Sequence, residues 1–349
     1  MPLTRWTAAS AALFLIVSAA TAQEPRLPDP LFQSTEILDV RIVAPLTTLL
    51  VDRPYDEELP AILQYEDSAG QAVEFNIKIR TRGHFRRRKE VCKFPPMRLN
   101  FKASETKGTL FHKQDKVKLV THCQSFTQYE QVILREYTAY RFLNVMTDAS
   151  FRVRLLRITY VDSEGKIRGG VSHGFIIEHR DRLAKRLEKD YVDLPGTTIE
   201  SLDPAHTNLV SIYHYLIGNT DFSPIQGITD EACCHNHVLF GNDGEPLWSV
   251  PYDLDQAGLV DAPHANPNAR FNLRNVRQRL YRGRCIYNDL LAGSITQYID
   301  KREEIMAVVH EVEDATDSSM KKMAKYVDQF YDTINSEKRV ESKLVKKCI

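Results

Sequence analysis

Between Glu36 and Lys102 apolar and polar residues alternate with the period of β-strands. Val73, Phe75, Ile77 and Ile79 alternate with Glu74, Asn76, Lys78 and Arg80, which predicts one buried and one wet face. Met97, Leu99 and Phe101 repeat the pattern and set Arg98, Asn100 and Lys102 together on the opposite face. Ile37 to Leu50 is apolar and β-branched and reads as an earlier strand, and Val117 to Thr121 as a second basic strand. The period changes at Tyr129. From there to Val145, Val132, Glu136, Ala139 and Leu143 recur at helical spacing, and Ile133, Tyr137 and Tyr140 widen the stripe. A carboxylate in such a column, here Glu136, is costly unless paired, and Lys118 and Arg98 compete as its partner.

Phe151 to Val161 and Val171 to Glu178 form the next hairpin, joined by the turn-rich Asp162-Ser163-Glu164-Gly165-Lys166. Beyond Leu202 the helical period returns. Leu209, Ile212, Tyr213 and Leu216 share a face of a helix that Gly218 ends. Val238 to Phe240 and Leu247 to Val250 predict a hairpin, and Ile295 to His310 and Met320 to Ile334 two covering helices. The chain thus divides into residues 1–22, a β-rich part with one long helix at 23–178, and a mostly helical part at 179–349.

Residues 1–22 carry the marks of an export signal, with Arg5 before the apolar run Ala8 to Ala20 and the small residues Ala20 and Ala22 around Thr21, so cleavage is expected after Ala22. No later stretch is long enough to cross a membrane, and no stable insertion is expected after cleavage. The 349 residues hold 46 Lys and Arg against 46 Asp and Glu, so no whole-chain field draws the protein to nucleic acid or anionic lipid. The local basic run Arg86 to Lys89 reads either as a solvated turn or as part of a site. Six cysteines in an exported chain favour disulfides, with the vicinal pair Cys233 and Cys234 each expected to reach a distant partner. Zinc held by those cysteines with His235 and His237 is the alternative, against which stands the lack of a CxxC spacing.

The densest chemistry lies in Gly218-Asn219-Thr220-Asp221, Asn236, and Pro251-Tyr252-Asp253-Leu254-Asp255. Carboxylates and an amide oxygen are the hard ligand set that Mg²⁺ or Mn²⁺ prefers, and the alternate residues Asp253 and Asp255 of a strand share a face. One carboxylate set apart as a base, with an Asn and a second carboxylate on the metal, is the division of labour in phosphoryl transfer.

The order GN-x-D, Asn and a tryptophan-containing strand ending in PYDLD resembles the spore coat protein H (CotH) kinase-like family, and more distantly HipA-type kinases. Arg82-Gly83 with Arg86 to Lys89 and the strand from Pro96 to Phe101 resembles the family's basic element, and Leu134 to Tyr137 its early helix. The resemblance spans roughly Ile77 to Gly258. It implies an α+β, two-lobed protein-kinase-like fold with a β-rich N-terminal lobe and a mainly helical C-terminal lobe. It also implies Asp221 as catalytic base, and Asn236 and Asp253 as metal ligands with Asp255 at a second ion. Glu136 with Lys118 or Arg98, and Arg82, would grip the phosphates, and Glu178 stands where a hinge would meet adenine. The bulky His84-Phe85-Arg86-Arg87-Arg88 departs from the family pattern, and no glycine-rich phosphate loop is present. The expected function is phosphate transfer from ATP or another nucleoside triphosphate, with Mg²⁺ or Mn²⁺, to a protein or small-molecule hydroxyl, in the periplasm, at the cell surface or outside the cell. Two other readings stand beside it: a non-catalytic surface-binding protein on a kinase-like fold, and a DxD metal-dependent glycosyl or nucleotidyl transferase.

Overall fold

Seven of the strands wrap into a closed barrel in the computed structural model, which describes residues 26–228 and 233–349. The expected export signal and its cleavage point lie outside the described residues. β1 (Leu38–Ala44) leads into the short helix α1 (Leu46–Val51), followed by β2 (Leu59–Glu66), β3 (Ala72–Thr81) and β4 (Met97–Asn100). A single turn, α2 (Ala103–Thr106), precedes β5 (Lys116–Thr121), the long helix α3 (Thr127–Met146), β6 (Val153–Asp162) and β7 (Gly170–Ile177). The order around the barrel is β1-β2-β3-β4-β5-β7-β6, and β1 closes it by pairing parallel with β6 from Leu38 opposite Leu156 to Ala44 opposite Asp162.

That closure overturns the expected two-lobed kinase-like fold. β6 carries buried residues along most of its length and is paired on both sides, so the sheet has no free edge there. Ile42, Leu63, Ile79, Leu99, Leu119, Ile158 and Ile176 fill the interior, all fully buried. Strand alternation therefore sends Arg80, Arg98 and Lys118 to the outside. The broad division into a β-rich first part and a mainly helical second part does hold.

The strand read over Ile37 to Leu50 ends at Ala44, because Pro45 lacks an N–H for the ladder, and α1 begins after it. After the barrel come α4 (Arg180–Leu187), β8 (Asp190–Val192) and α5 (Pro204–Ile217), then the predicted hairpin of β9 (His237–Gly241) and β10 (Trp248–Pro251). β8 adds a third strand to that hairpin, in the order β10-β9-β8. The single helix expected over Ile295 to His310 is two, α6 (Leu291–Asp300) and α7 (Arg302–Glu311). They are broken at Lys301, so that Tyr298 and Ile305 both reach the core. α8 (Asp317–Ile334) and α9 (Glu337–Lys343) complete the chain.

α3 is the joint between the two parts. Its residues Val132, Ala139 and Leu143 share one core with Val120 and Phe175 of the barrel wall and with Ile212 of α5 and Phe330 of α8. Disulfides join Cys92 to Cys123 and Cys285 to Cys348. The third joins Cys233 to Cys234, which corrects the expectation of distant partners and removes the thiolates a zinc site would need. Among the described residues no helix is long and apolar enough to cross a membrane. The disulfides are compatible with an extracellular protein.

Candidate functional site

A cleft runs between the barrel wall and the loops around β9 and β10. Its two wings measure about 450 and about 410 Å³ and share Arg82, Gly83, Ile177 and Tyr252.

Asp221 reaches the first wing through α5. Asp203 caps that helix by accepting from the His206 N–H, and Pro204 starts it. Gly218 ends it at φ 66°, where any Cβ would fall 2.0 Å from the Tyr326 hydroxyl oxygen. The Asn219 side chain then accepts from the Asp221 N–H at 2.9 Å, fixing the turn. The Asp221 carboxylate, about a third exposed, meets His235 Nε2 at 2.9 Å and accepts from Asn236 Nδ2 at 3.1 Å. Asn236 Nδ2 also donates to the Asp221 carbonyl at 2.7 Å, so the amide oxygen is the Asn236 atom left for a cation.

Asn236 and Asp253 flank the β9–β10 hairpin. Pro251 lies opposite His237, and the Tyr252 N–H donates to the Asn236 carbonyl at 3.0 Å, which brings the two candidate ligands to one end of the ribbon, as the sequence predicts. Both take the left-handed backbone region, at φ 54° and 56°, which Asn and Asp tolerate better than most residues. The Asp253 N–H donates to the Tyr140 hydroxyl of α3 at 2.8 Å and so pins the turn to the joint helix.

Beneath this turn lies a buried charge cluster. Arg86 is 8 % exposed and sets Nη1 3.6 Å from Glu136 and 3.9 Å from Asp255, while its Nη2 donates to the Thr121 carbonyl at 2.7 Å. Arg86, not Lys118 or Arg98, is thus the partner of Glu136. Burial pushes the Glu136 carboxyl up to about 8; Arg86 opposes the rise, and Asp255 and Asp253 add to it. Burial also raises Asp253, reinforced by the Asp255 charge and resisted by Arg82, Arg86 and Lys118. Burial opposes ionisation of Asp255 as well, but the hydrogen bond from His264 at 3.1 Å and the Arg86 charge outweigh it and hold its carboxyl below the usual range.

Lys118 stands on the barrel wall over the Tyr252 ring, 4.3 Å from its centroid. Burial lowers its ammonium to about 7, helped by Arg82 and opposed by Asp253. Arg98 lies directly opposite Lys118 on β4, and Arg82 lines both wings. Glu178 is committed elsewhere: its carboxylate pairs with Arg186 at 3.0 Å and accepts from the Arg152 N–H at 3.1 Å. Of the residues singled out in the sequence, Asp221, Asn236, Asp253 and Asp255 meet in the first wing, Lys118 and Arg98 in the second, and Arg82 in both. Arg86, His264, His235 and Tyr140 were missed as organisers of the site. Arg86 lay within the flagged basic run, and only its burial sets it apart from the exposed Arg88 and Lys89.

The raised Glu136 carboxyl has a measurable consequence. The folded chain holds that proton more tightly than the unfolded chain between about pH 4.5 and 8, so this group's contribution to stability is full below the window and lost as pH rises through it. Glu136→Gln removes the titration. Denaturation of both proteins from pH 5 to 9 should show the wild type falling relative to Glu136→Gln by a few kcal/mol across the window. A difference that does not change with pH would contradict this placement of Glu136.

The donor set of the first wing, carboxylate oxygens and an amide oxygen, is of the kind a hard divalent ion takes. No family model matches this chain, and no curated protein does.

Proposed function

We propose that this protein is a metal-dependent phosphotransferase of the CotH-like kind, built on a closed-barrel scaffold and working outside the cytoplasm. It would move a phosphoryl group from a nucleoside triphosphate to a hydroxyl of a protein or small molecule. One observation carries the reading: Asp221, Asn236 and Asp253 share one cleft wing, and that wing opens onto a wall bearing Arg82 and Lys118. The order of the motifs in the chain supports it, and the three disulfides fit the compartment.

Asn236 and Asp253 would hold Mg²⁺ or Mn²⁺, which supplies charge neutralisation on the phosphates when bound. Arg82 and Lys118 face the same phosphates from the barrel wall. Lys118 needs its proton for this, so phosphate affinity in the empty cleft weakens as pH rises through about 7, where burial has placed its titration. Asp255, engaged by His264 and facing Arg86, orients the turn that presents Asp253; a second ion there would have to displace the His264 contact. Asp221, held by His235 and Asn236, is the base that takes or orients the acceptor proton.

Asp221→Asn tests that division. It keeps size and hydrogen bonding but loses the proton-accepting charge. Calorimetric titration should find nucleotide binding with Mn²⁺ retained, while transfer of labelled phosphate falls by about a hundredfold or more. Unchanged transfer would end the base assignment. Nucleotide binding without turnover in the wild type would leave a non-catalytic binding protein.

A further inference from the structure

The second wing carries more positive charge than a triphosphate beside one metal ion calls for. Arg80 lies opposite Arg98, and Arg98 opposite Lys118, so three cations stand in a row across β3, β4 and β5. Adjacent strands are about 4.8 Å apart. Lys116, two residues before Lys118 on β5, extends the row on the same face, and Arg180 at the start of α4 closes it from the other side. Like charges directly opposite one another on a sheet repel.

Acids offset this row only in part. Glu58 and Asp115 support the charge of Arg98, but burial and the Arg80 and Arg82 charges outweigh them and lower its guanidinium. Arg80 donates to the Tyr55 and Thr81 carbonyls and forms no ion pair among the described residues. Arg180 pairs with the exposed Asp181 at 3.8 Å, a contact largely screened by solvent. Burial and the neighbouring arginines press the proton off Lys118 against the opposing charge of Asp253.

The three tyrosines of this wing are also covered by cations. Tyr55 lies under Arg87 and Arg80, Tyr191 under Arg180, and Tyr252 under Lys118. A purine seeking a stacking partner meets guanidinium or ammonium groups first.

From this row of cations we infer that the barrel wall is a subsite for a linear phosphate chain longer than a triphosphate, recognised through its phosphates and not through a nucleoside. The inference rests on the phosphotransfer reading for the end of the chain that meets Asp253, and extends it along the wall to Lys116 and Arg180. A linear chain with one charge or more per phosphate places anions successively along such a row, and guanidinium forks match its oxygens. The same chemistry could come from the tail of a nucleotide or from inorganic polyphosphate, which the experiment separates.

Calorimetric titrations in excess Mn²⁺ with adenosine, ATP, and linear inorganic pyrophosphate, tripolyphosphate and hexaphosphate provide the test. Affinity should rise with chain length. ATP should bind within about threefold of tripolyphosphate, and adenosine should not bind. The Lys116→Ala/Arg180→Ala protein changes two exposed residues outside the metal turn and should fold normally. It should lose about tenfold for hexaphosphate, the scale of two exposed charge contacts, and keep its pyrophosphate affinity within about twofold. Hexaphosphate no tighter than tripolyphosphate, ATP more than about tenfold tighter than tripolyphosphate, or equal loss for every chain length in the double variant would each overturn the subsite. A transfer assay run alongside keeps the two ideas apart: ATP turned over with no chain-length preference leaves phosphotransfer standing and removes the subsite. Tight hexaphosphate binding with no transfer from any donor does the reverse.

Discussion

Arg86→Met is expected to destabilise the protein by about 3–5 kcal/mol, the scale for removing one partner from a buried ion pair. Arg86 is the cation between Glu136 and Asp255, both nearly inaccessible, and its Nη2 satisfies the Thr121 carbonyl at the end of β5. Methionine fills most of the volume but leaves the carboxylates facing each other and the carbonyl without its donor. The loss should grow with pH, because Glu136 titrates near 8 and its ionised form is the one that needs Arg86. Above about pH 8, adding Glu136→Gln should recover part of the loss beyond the gain it gives the wild type, because it removes a carboxylate that has lost its cation. Urea denaturation of the single and double variants checks both statements. A loss under about 1 kcal/mol, or no recovery in the double variant, would show that the cluster is not coupled as its geometry indicates.

Asp253→Ala should act on function more than on stability. Asp253 is partly exposed to the cleft, and its side chain is not needed for the backbone contact that fixes the turn, the N–H donation to Tyr140. Alanine at φ 56° costs about 1 kcal/mol or more in the left-handed region. Among the described residues, by contrast, no donor hydrogen-bonds the carboxylate, whose charge Arg82, Arg86 and Lys118 favour. Metal-dependent nucleotide affinity should fall by at least about a hundredfold, beyond the roughly 10–100-fold loss expected for an outer partner of a metal ligand. Asp253→Asn keeps the preferred backbone and should lose nearly as much, which separates ligand loss from backbone strain. Titration calorimetry with and without Mn²⁺ measures this. Retained affinity in Asp253→Asn would move the metal away from this turn.

Much of the site was legible because its residues lie at element ends that the sequence marks clearly. Gly218 ends an apolar helical stripe, so Asp221 had to follow a helix; the two apolar runs around Gly241 to Gly244 had to pair, so Asn236 and Asp253 had to meet. The alternation in β3 and β4 likewise placed Arg80 and Arg98 on wet faces. What escaped depends on contacts between residues far apart in the chain. Barrel closure rests on β1 meeting β6, more than a hundred residues later, and no local pattern distinguishes that pairing from an open sheet. Arg86 reads as one more charge in a basic run until the Gly83 to Cys92 segment folds back over α3, tied to β5 through Cys123. Pairing of Cys233 with its immediate neighbour has no signal beyond adjacency, which equally fits two separate bridges. The break between α6 and α7 at Lys301 carries neither proline nor glycine, so the helical period runs through it.

The most direct test of the central claim is transfer of labelled γ-phosphate from ATP by the purified protein, with Mn²⁺, with Mg²⁺ and with a chelator. Phosphotransfer at this cleft predicts metal-dependent incorporation into the protein itself or an added hydroxyl acceptor, abolished by chelator and by Asp253→Ala. Incorporation that survives Asp253→Ala, or no metal-dependent nucleotide binding and no transfer under any of these conditions, would contradict it.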